Sequence, residues 1–138
     1  MLKNIPKNLS PELVKVLMEM GHGDEIVLAD GNYPAASNAK KLIRCDGLPM
    51  PELLKSILEL FPLDQYVEQP VALMAVAKGD ETKPAIWEEY KALLDQGVSI
   101  ESIERQAFYE RGKQAYAIVA TGEEAIYANI LLKKGVVK

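Results

Sequence analysis

The sequence predicts an α/β protein: a single three-layer domain over residues 1–138, with a mostly parallel or mixed sheet and helices on both of its faces. Three observations carry this expectation. Helical stretches interleave with short apolar runs along the whole chain. Several of the runs, such as Val71-Ala72-Leu73-Met74-Ala75-Val76-Ala77, are apolar at consecutive rather than alternate positions, and a strand apolar on both sides needs cover on both sides. Finally, 138 residues leave room for one domain, since domains usually hold roughly 100–200.

The elements follow in order. Ser10-Pro11-Glu12 ahead of Leu13, Val14, Val16, Leu17, Met18 and Met20 supplies a serine N-cap, a proline in the first turn and a carboxylate at the positive end of the dipole; Gly21 stops the helix. Glu25 to Asp30 reads as a buried strand ending at the turn residues Gly31-Asn32-Tyr33-Pro34. Leu42-Ile43-Arg44-Cys45 is a weaker strand pattern before Asp46-Gly47. Pro51 opens a second helix, with Leu53, Leu54, Ile57, Leu58 and Phe61 at helical spacing until Pro62. Val71 to Ala77 is a central strand, closed by Lys78-Gly79-Asp80. Pro84 to Gln96 carries Ile86, Tyr90, Leu93 and Leu94 on a third helix that Gly97 ends. Gln106 to Lys113 is a short helix leading into a buried strand, Ala115 to Ala120, and then Thr121-Gly122. Tyr127 to Leu132 is the last strand, stopping at Lys133-Lys134-Gly135.

Composition excludes several function classes. Sixteen Lys and Arg against twenty Asp and Glu leave a net charge of -4, and the basic doublets Lys40-Lys41 and Lys133-Lys134 make no patch for phosphates, so no nucleic-acid partner is expected. Cys45 is the only cysteine and His22 the only histidine, which removes an intrachain disulfide and a Cys/His zinc site. No acids take EF-hand spacing. The segment Met1 to Asn8 lacks the apolar core of a secretion signal, and no apolar run approaches the roughly 20 residues that span a bilayer. A cytoplasmic protein with no membrane partner is expected. Ile26 stands where GxGxxG would need its third glycine, and neither GxxxxGK[ST] nor GxSxG occurs, so neither a nucleotide cofactor nor a serine hydrolase is suggested. Cys45 reads as a small buried hydrophobe and Trp87 as core or interface packing.

In open α/β sheets ligands bind beyond the carboxyl ends of strands, which directs attention to the polar residues after Leu28, Ala77, Ala120 and Leu132. Asp30, with Asn32 and Tyr33 close by, offers acceptors, donors and a ring; the same residues also suit an Asx turn into Gly31. His22 lies between two glycines and is the one side chain type that ordinarily titrates between pH 5 and 8, although a solvated residue at a helix end would look the same. Arg105 to Arg111 carries many hydrogen-bonding groups directly before a buried strand, or else Arg105, Glu110 and Arg111 form a solvated helix face with local ion pairs. Tyr127 and Asn129 alternate along the last expected strand and so share one face, where an asparagine needs polar partners that a ligand can supply. Together these residues suit a small, polar, uncharged ligand.

The run Gly21-His22-Gly23-Asp24-Glu25-Ile26-Val27, with Asp30 and Asn32-Tyr33-Pro34-Ala35 after it, resembles the signature of the sugar mutarotase family that contains L-fucose mutarotases and D-ribose pyranases. The likeness continues through Arg44-Cys45-Asp46-Gly47-Leu48, Ala107-Phe108-Tyr109-Glu110-Arg111 and Thr121-Gly122-Glu123 to Tyr127-Ala128-Asn129-Ile130-Leu131-Leu132-Lys133-Lys134-Gly135-Val136. It covers essentially the full chain. Gly-His-Gly, Phe-Tyr-Glu-Arg and the Lys-Lys-Gly-Val ending look like the fucose branch. Tyr33 stands where phenylalanine is common, and Ala128 where glycine also occurs.

The resemblance implies a proton donor at His22 and sugar contacts at Asp30, Arg105, Tyr127, Ala128 and Asn129, with Ala128 acting through its backbone. It further implies no metal, no organic cofactor, and a ring-shaped homo-oligomer, often a decamer, with sites near subunit contacts. Tyr33 and Tyr109 are the expected apolar wall for the C5 methyl group of a fucose-type sugar. The expected reaction is anomer interconversion by general acid/base opening and closure of the pyranose ring. D-Ribose pyranase activity and non-catalytic sugar binding are the rival readings, and the intact His22 favours catalysis, because binding a neutral sugar needs no titrating group.

Overall fold

The computed structural model describes all residues from 1 to 138. In chain order its elements are α1 (Pro11–Glu19), β1 (Glu25–Ala29), α2 (Ala35–Asn38), β2 (Leu42–Cys45), α3 (Met50–Leu58), β3 (Val71–Met74), α4 (Ile86–Leu93), β4 (Ile100–Ile103), α5 (Arg105–Gln114), β5 (Ala117–Thr121) and β6 (Ile130–Lys133). The six strands form one sheet in the order β2-β5-β1-β6-β3-β4. β1 with β5, β2 with β5, and β3 with β4 are parallel, whereas β6 runs antiparallel to both β1 and β3, so the sheet is mixed.

The consecutive apolar residues of each strand divide between two cores. Ile26 and Leu28 face α1, α3 and α4, where Leu13, Leu17, Leu53, Ile57, Ile86 and Tyr90 are buried with them. Val27 and Ala29 face the other way, onto Tyr33, Ala35 of α2 and Phe108 of α5. Because side chains alternate sides along a strand, a run without polar residues reports cover on both faces. The expected three-layer α/β architecture is observed.

Local chemistry sets the helix starts. Ser10 Oγ accepts from the Leu13 N–H at 3.1 Å. The Glu104 carboxylate caps α5 by accepting from the Gln106 and Ala107 N–H groups, and Glu123 Oε1 accepts from Met50 N–H at the start of α3. Cys45 is a buried free thiol, and Trp87 is half-buried against the larger core.

Two elements are added to those expected, and two expected strands are corrected. α2, which no sequence pattern announces, follows directly on the expected turn residues Gly31 to Pro34. β4, unannounced in sequence, is a half-exposed edge strand of only four residues, with Glu101 and Ser102 between its two isoleucines. β3 ends at Met74 rather than Ala77, because its neighbour β6 begins only at Ile130 and offers no further partner. β6 therefore excludes Tyr127 to Asn129: Tyr127 has φ 57°, a left-handed conformation that no strand accommodates. Tyr127 and Asn129 do not alternate along a strand; they lie on the turn that precedes one.

Arg111 is also corrected. It is no part of a solvated face: its guanidinium, three-quarters buried, reaches Glu25 of β1 at 2.6 Å and Glu101 of β4 at 2.9 Å. Glu110 does keep to the surface, paired with Lys113.

Candidate functional site

Beyond the carboxyl end of β1 lies a cavity of about 280 Å³ lined by Asp30, Asn32, Tyr33, Met74, Asp80, Arg105, Tyr109, Ile126, Tyr127 and Asn129. It is near the small end of ligand sites, roughly 300–1,000 Å³. Larger grooves exist. One of about 590 Å³ lies between the ends of α3 and α4, and an apolar one of about 860 Å³ lies along the N-terminal segment and α1. Neither gathers as many of the sugar-type hydrogen-bonding residues singled out in sequence.

Asp30 is the pivot of the cavity. Its carboxylate accepts from the Asn32 N–H at 3.0 Å, which is the Asx turn, and from the Ala128 N–H at 3.3 Å. Its own N–H donates to Asn129 Oδ1 at 2.7 Å. Burial pushes the Asp30 carboxyl above its ordinary range, against the pull of those backbone N–H groups. The turn reading and the site reading of Asp30 thus coexist: the turn aims a carboxylate that still lines the cavity.

The segment from Tyr127 to Asn129 is held from several sides. Trp87 Nε1 donates to the Tyr127 carbonyl at 2.7 Å, and the Tyr90 hydroxyl donates to the Ala128 carbonyl at 2.6 Å. Ala128 is fully buried, and both its backbone groups are engaged inside the protein, so the structure places it behind Asp30 rather than on the cavity wall. Arg105, at the first position of α5, is exposed and lines the cavity.

Tyr33 and Tyr109 form the aromatic side, edge to face with ring centroids 5.3 Å apart. Burial, with Tyr109 beside it, pushes the Tyr33 phenol up to about 12. A Cβ on Gly112 would fall onto the Tyr33 hydroxyl, so the absence of a side chain at 112 is what lets this ring seat against α5.

His22 is elsewhere. It sits in the turn between α1 and β1, at the amino end of the strand whose carboxyl end leads to Asp30. Five strand residues at about 3.3 Å each put roughly 15 Å or more between the two. His22 Nε2 lies 3.0 Å from Asp64 Oδ1; the imidazole is half-exposed, whereas the Asp64 side chain is only 3 % exposed. Asp64 also accepts from the Tyr66 N–H at 3.0 Å, and the Tyr66 ring lies 5.4 Å from the imidazole. Burial raises the Asp64 carboxyl, but the hydrogen bonds from Tyr66 and His22 outweigh it and hold the group below its ordinary value.

The chain end builds this second corner. Lys134 Nζ donates to the Leu17 and Met20 carbonyls at the end of α1, where a cation is favoured by the helix dipole. The Gly23 N–H donates to the Lys134 carbonyl, and the Asp64 N–H to the Lys133 carbonyl. A Cβ on Gly135 would collide with the Leu63 and Asp64 backbone. Lys133-Lys134-Gly135 therefore ties the His22 turn to the Asp64 loop. No three His, Cys, Asp or Glu side chains converge in a way that could hold a metal ion.

Asp64 escaped the sequence reading because no motif surrounds it. The available signal was an acid directly after the Phe61-Pro62-Leu63 stretch, where apolar neighbours demand a partner. Asp80, also on the cavity wall, carries in sequence only the signal of a strand end.

The chain matches the RbsD / FucU transport protein family over residues 3–137. It is 52% identical to a fucose mutarotase from Mus musculus, covering 97% of this chain and 94% of that one. Its fold superposes with TM-score 0.94 on the crystal structure of the fucose mutarotase in complex with L-fucose from Streptococcus pneumoniae, at 60% identity and with 99% and 100% of the two chains covered. Bacillus subtilis RbsD complexed with D-ribose is more distant, with TM-score 0.80 and 26% identity over the full length of both chains. Matched from end to end by the family model and by relatives of similar length, the chain belongs to the RbsD / FucU family.

Proposed function

We propose that the protein is an L-fucose mutarotase, a cofactor-independent isomerase that interconverts the α and β anomers by opening and reclosing the sugar ring. The observation that carries this reading is the cavity beyond β1, where Asp30, Arg105, Tyr127 and Asn129 meet the rings of Tyr33 and Tyr109. Hydrogen-bonding groups of both kinds beside apolar rings suit a neutral sugar with one methyl group. The much higher identity to the structure with bound L-fucose than to the one with D-ribose favours the fucose branch.

Ring opening needs a proton at the ring oxygen and loss of one from the anomeric hydroxyl. The C1–O5 bond breaks, the anomeric oxygen becomes the aldehyde, and rotation about C1–C2 precedes reclosure on the other face. His22 is the group for the proton on the ring oxygen. With Nε2 donating to Asp64, its Nδ1 is the nitrogen that gives and takes protons, and the carboxylate holds the ring in place. Such positioned transfer contributes about 10²–10⁴-fold.

One copy cannot bring His22 to its own cavity, because β1 separates them. The site therefore forms where the His22 corner of one copy meets the Asp30 cavity of the next, which requires a homo-oligomer; a closed ring satisfies this at every contact, and the family resemblance gives a decamer. Exposed Met1, Leu2 and Met18 supply apolar surface for association. No helix is long and apolar enough to cross a membrane, and we place the enzyme in the cytoplasm, where its lone thiol stays reduced.

Saturation transfer between the anomeric protons of L-fucose, measured by NMR with and without the protein, tests this reading. Exchange well above the spontaneous rate is expected, and faster with L-fucose than with D-ribose. Faster exchange with ribose would move the protein to the pyranase branch, and binding of fucose without exchange would leave a sugar-binding protein.

A further inference from the structure

We infer that Asp80 fixes the polarity of Tyr127 at the sugar, so that the phenol oxygen faces the ligand as a hydrogen-bond acceptor and never as a donor. This rests on the proposed sugar site and goes beyond it by assigning a positioning role to a residue outside the set expected from sequence.

The geometry is a closed loop of bonds. Residues 77–80 turn back on themselves, with the Asp80 N–H donating to the Ala77 carbonyl at 3.0 Å and Gly79 at φ 89°. Asp80 Oδ1 accepts from the Thr82 N–H at 2.9 Å and from the Thr82 hydroxyl at 2.6 Å. That leaves Oδ2, which accepts from the Tyr127 hydroxyl at 2.7 Å. The Ala77 N–H in turn donates to the same phenol oxygen at 3.2 Å.

The phenol has one proton, and a carboxylate can only accept while it is ionised. Hydrogen bonds from Thr82 and Tyr127 hold the Asp80 carboxyl below its ordinary value, and the bond to Asp80 raises the Tyr127 phenol. Both directions keep the proton on the tyrosine and aimed at Asp80. What remains for a ligand is the oxygen's other lone pair. Asp80 and Tyr127 both line the cavity, so a sugar hydroxyl that meets Tyr127 must be the donor of that bond.

Asp80→Asn distinguishes this role from simple support of the loop. The Thr82 N–H is a donor, so the Asn carboxamide keeps its oxygen there and turns its NH₂ toward Tyr127. The loop bonds survive while the bond to the phenol reverses, and the phenol proton becomes free to point at the ligand.

The probes are L-fucose and its deoxyfluoro analogues carrying fluorine in turn at C2, C3 and C4, since organic fluorine accepts weakly and cannot donate. Binding is measured by NMR titration to the wild type, Asp80→Asn and Tyr127→Phe, each first shown by thermal melting to be folded. For one fluorine position the wild type should lose about five- to tenfold in affinity relative to L-fucose, the worth of one hydrogen bond. That loss should vanish in Tyr127→Phe and shrink severalfold in Asp80→Asn. Identical analogue profiles in wild type and Asp80→Asn would overturn the role of Asp80 while leaving the sugar site standing. Failure of the wild type to bind L-fucose would overturn the site itself and this inference with it.

Discussion

His22 and Asp64, 42 positions apart in sequence, meet through Nε2 and Oδ1 at 3.0 Å, a half-exposed imidazole against a buried carboxylate. The contact settles which ring nitrogen is free for chemistry, because a carboxylate accepts and Nε2 must then carry its proton. It also places His22, the proposed proton-transfer group, at the amino end of β1, remote from the cavity at the other end. The proposed reaction, with its acid and its sugar contacts at opposite ends of one strand, therefore calls for more than one copy of the chain.

His22→Ala should abolish catalysed anomer exchange while leaving L-fucose affinity within about tenfold, since the proposed role of the imidazole is proton transfer rather than binding. NMR exchange and NMR titration on the same sample separate the two. Exchange at the wild-type rate would remove His22 from the mechanism.

Asp64 should contribute to acid stability with a definite sign. Its folded value lies below the usual carboxylate value of about 3.9. Its stabilisation is therefore fully present above that unfolded value and is lost as pH falls through the folded one. Urea unfolding of wild type and Asp64→Asn should show a gap near neutrality that narrows below about pH 4. A gap unchanged at about pH 3 would contradict the assignment.

Arg111 joins Glu25 of β1 to Glu101 of β4 from α5, tying a central strand to an edge strand. Arg111→Met leaves Glu25 with only Lys133, at 4.0 Å, and leaves Glu101 without its partner. A loss of about 2–3 kcal/mol is expected, somewhat less than for a fully buried ion pair. A change below about 0.5 kcal/mol in urea unfolding would show the cluster to be ornamental.

The aromatic side of the cavity should set substrate choice. L-Fucose carries a C5 methyl group and ribopyranose has no exocyclic carbon, a difference worth roughly 10–200-fold in a pocket that fits the methyl. Truncating Tyr109 to alanine should narrow the gap between L-fucose and D-ribose, and the same holds for Tyr33. An unchanged ratio in both variants would assign these rings to packing alone.

The layers of the fold are legible because Val71 to Met74, Ala117 to Ala120 and Ile26 to Ala29 are apolar on consecutive positions, and only a sheet covered on both faces tolerates that. β4 was not legible, since Glu101 and Ser102 at a half-exposed edge need no apolar pattern. Asp30, Arg105, Tyr127 and Asn129 were singled out from sequence and do line one cavity. The left-handed backbone of Tyr127 is not legible, because it accompanies tertiary bonds that local sequence does not encode: its carbonyl accepts from Trp87 and its hydroxyl donates to Asp80. Asp64 was missed for the same kind of reason: its partner comes from a turn 42 residues away.

The proposed sharing of the site between two copies is tested most directly by complementation. His22→Ala and Asp30→Asn should each be inactive alone, one lacking the acid and the other the sugar-side carboxylate. Co-expressed in equal amounts and purified as mixed oligomers, they should regain anomer exchange on L-fucose, because the His22 of an Asp30→Asn copy meets the intact cavity of a His22→Ala copy. Random assembly restores about a quarter of the contacts, so about a quarter of the wild-type rate is expected. Mixed oligomers as inactive as either parent would contradict a site built from two copies.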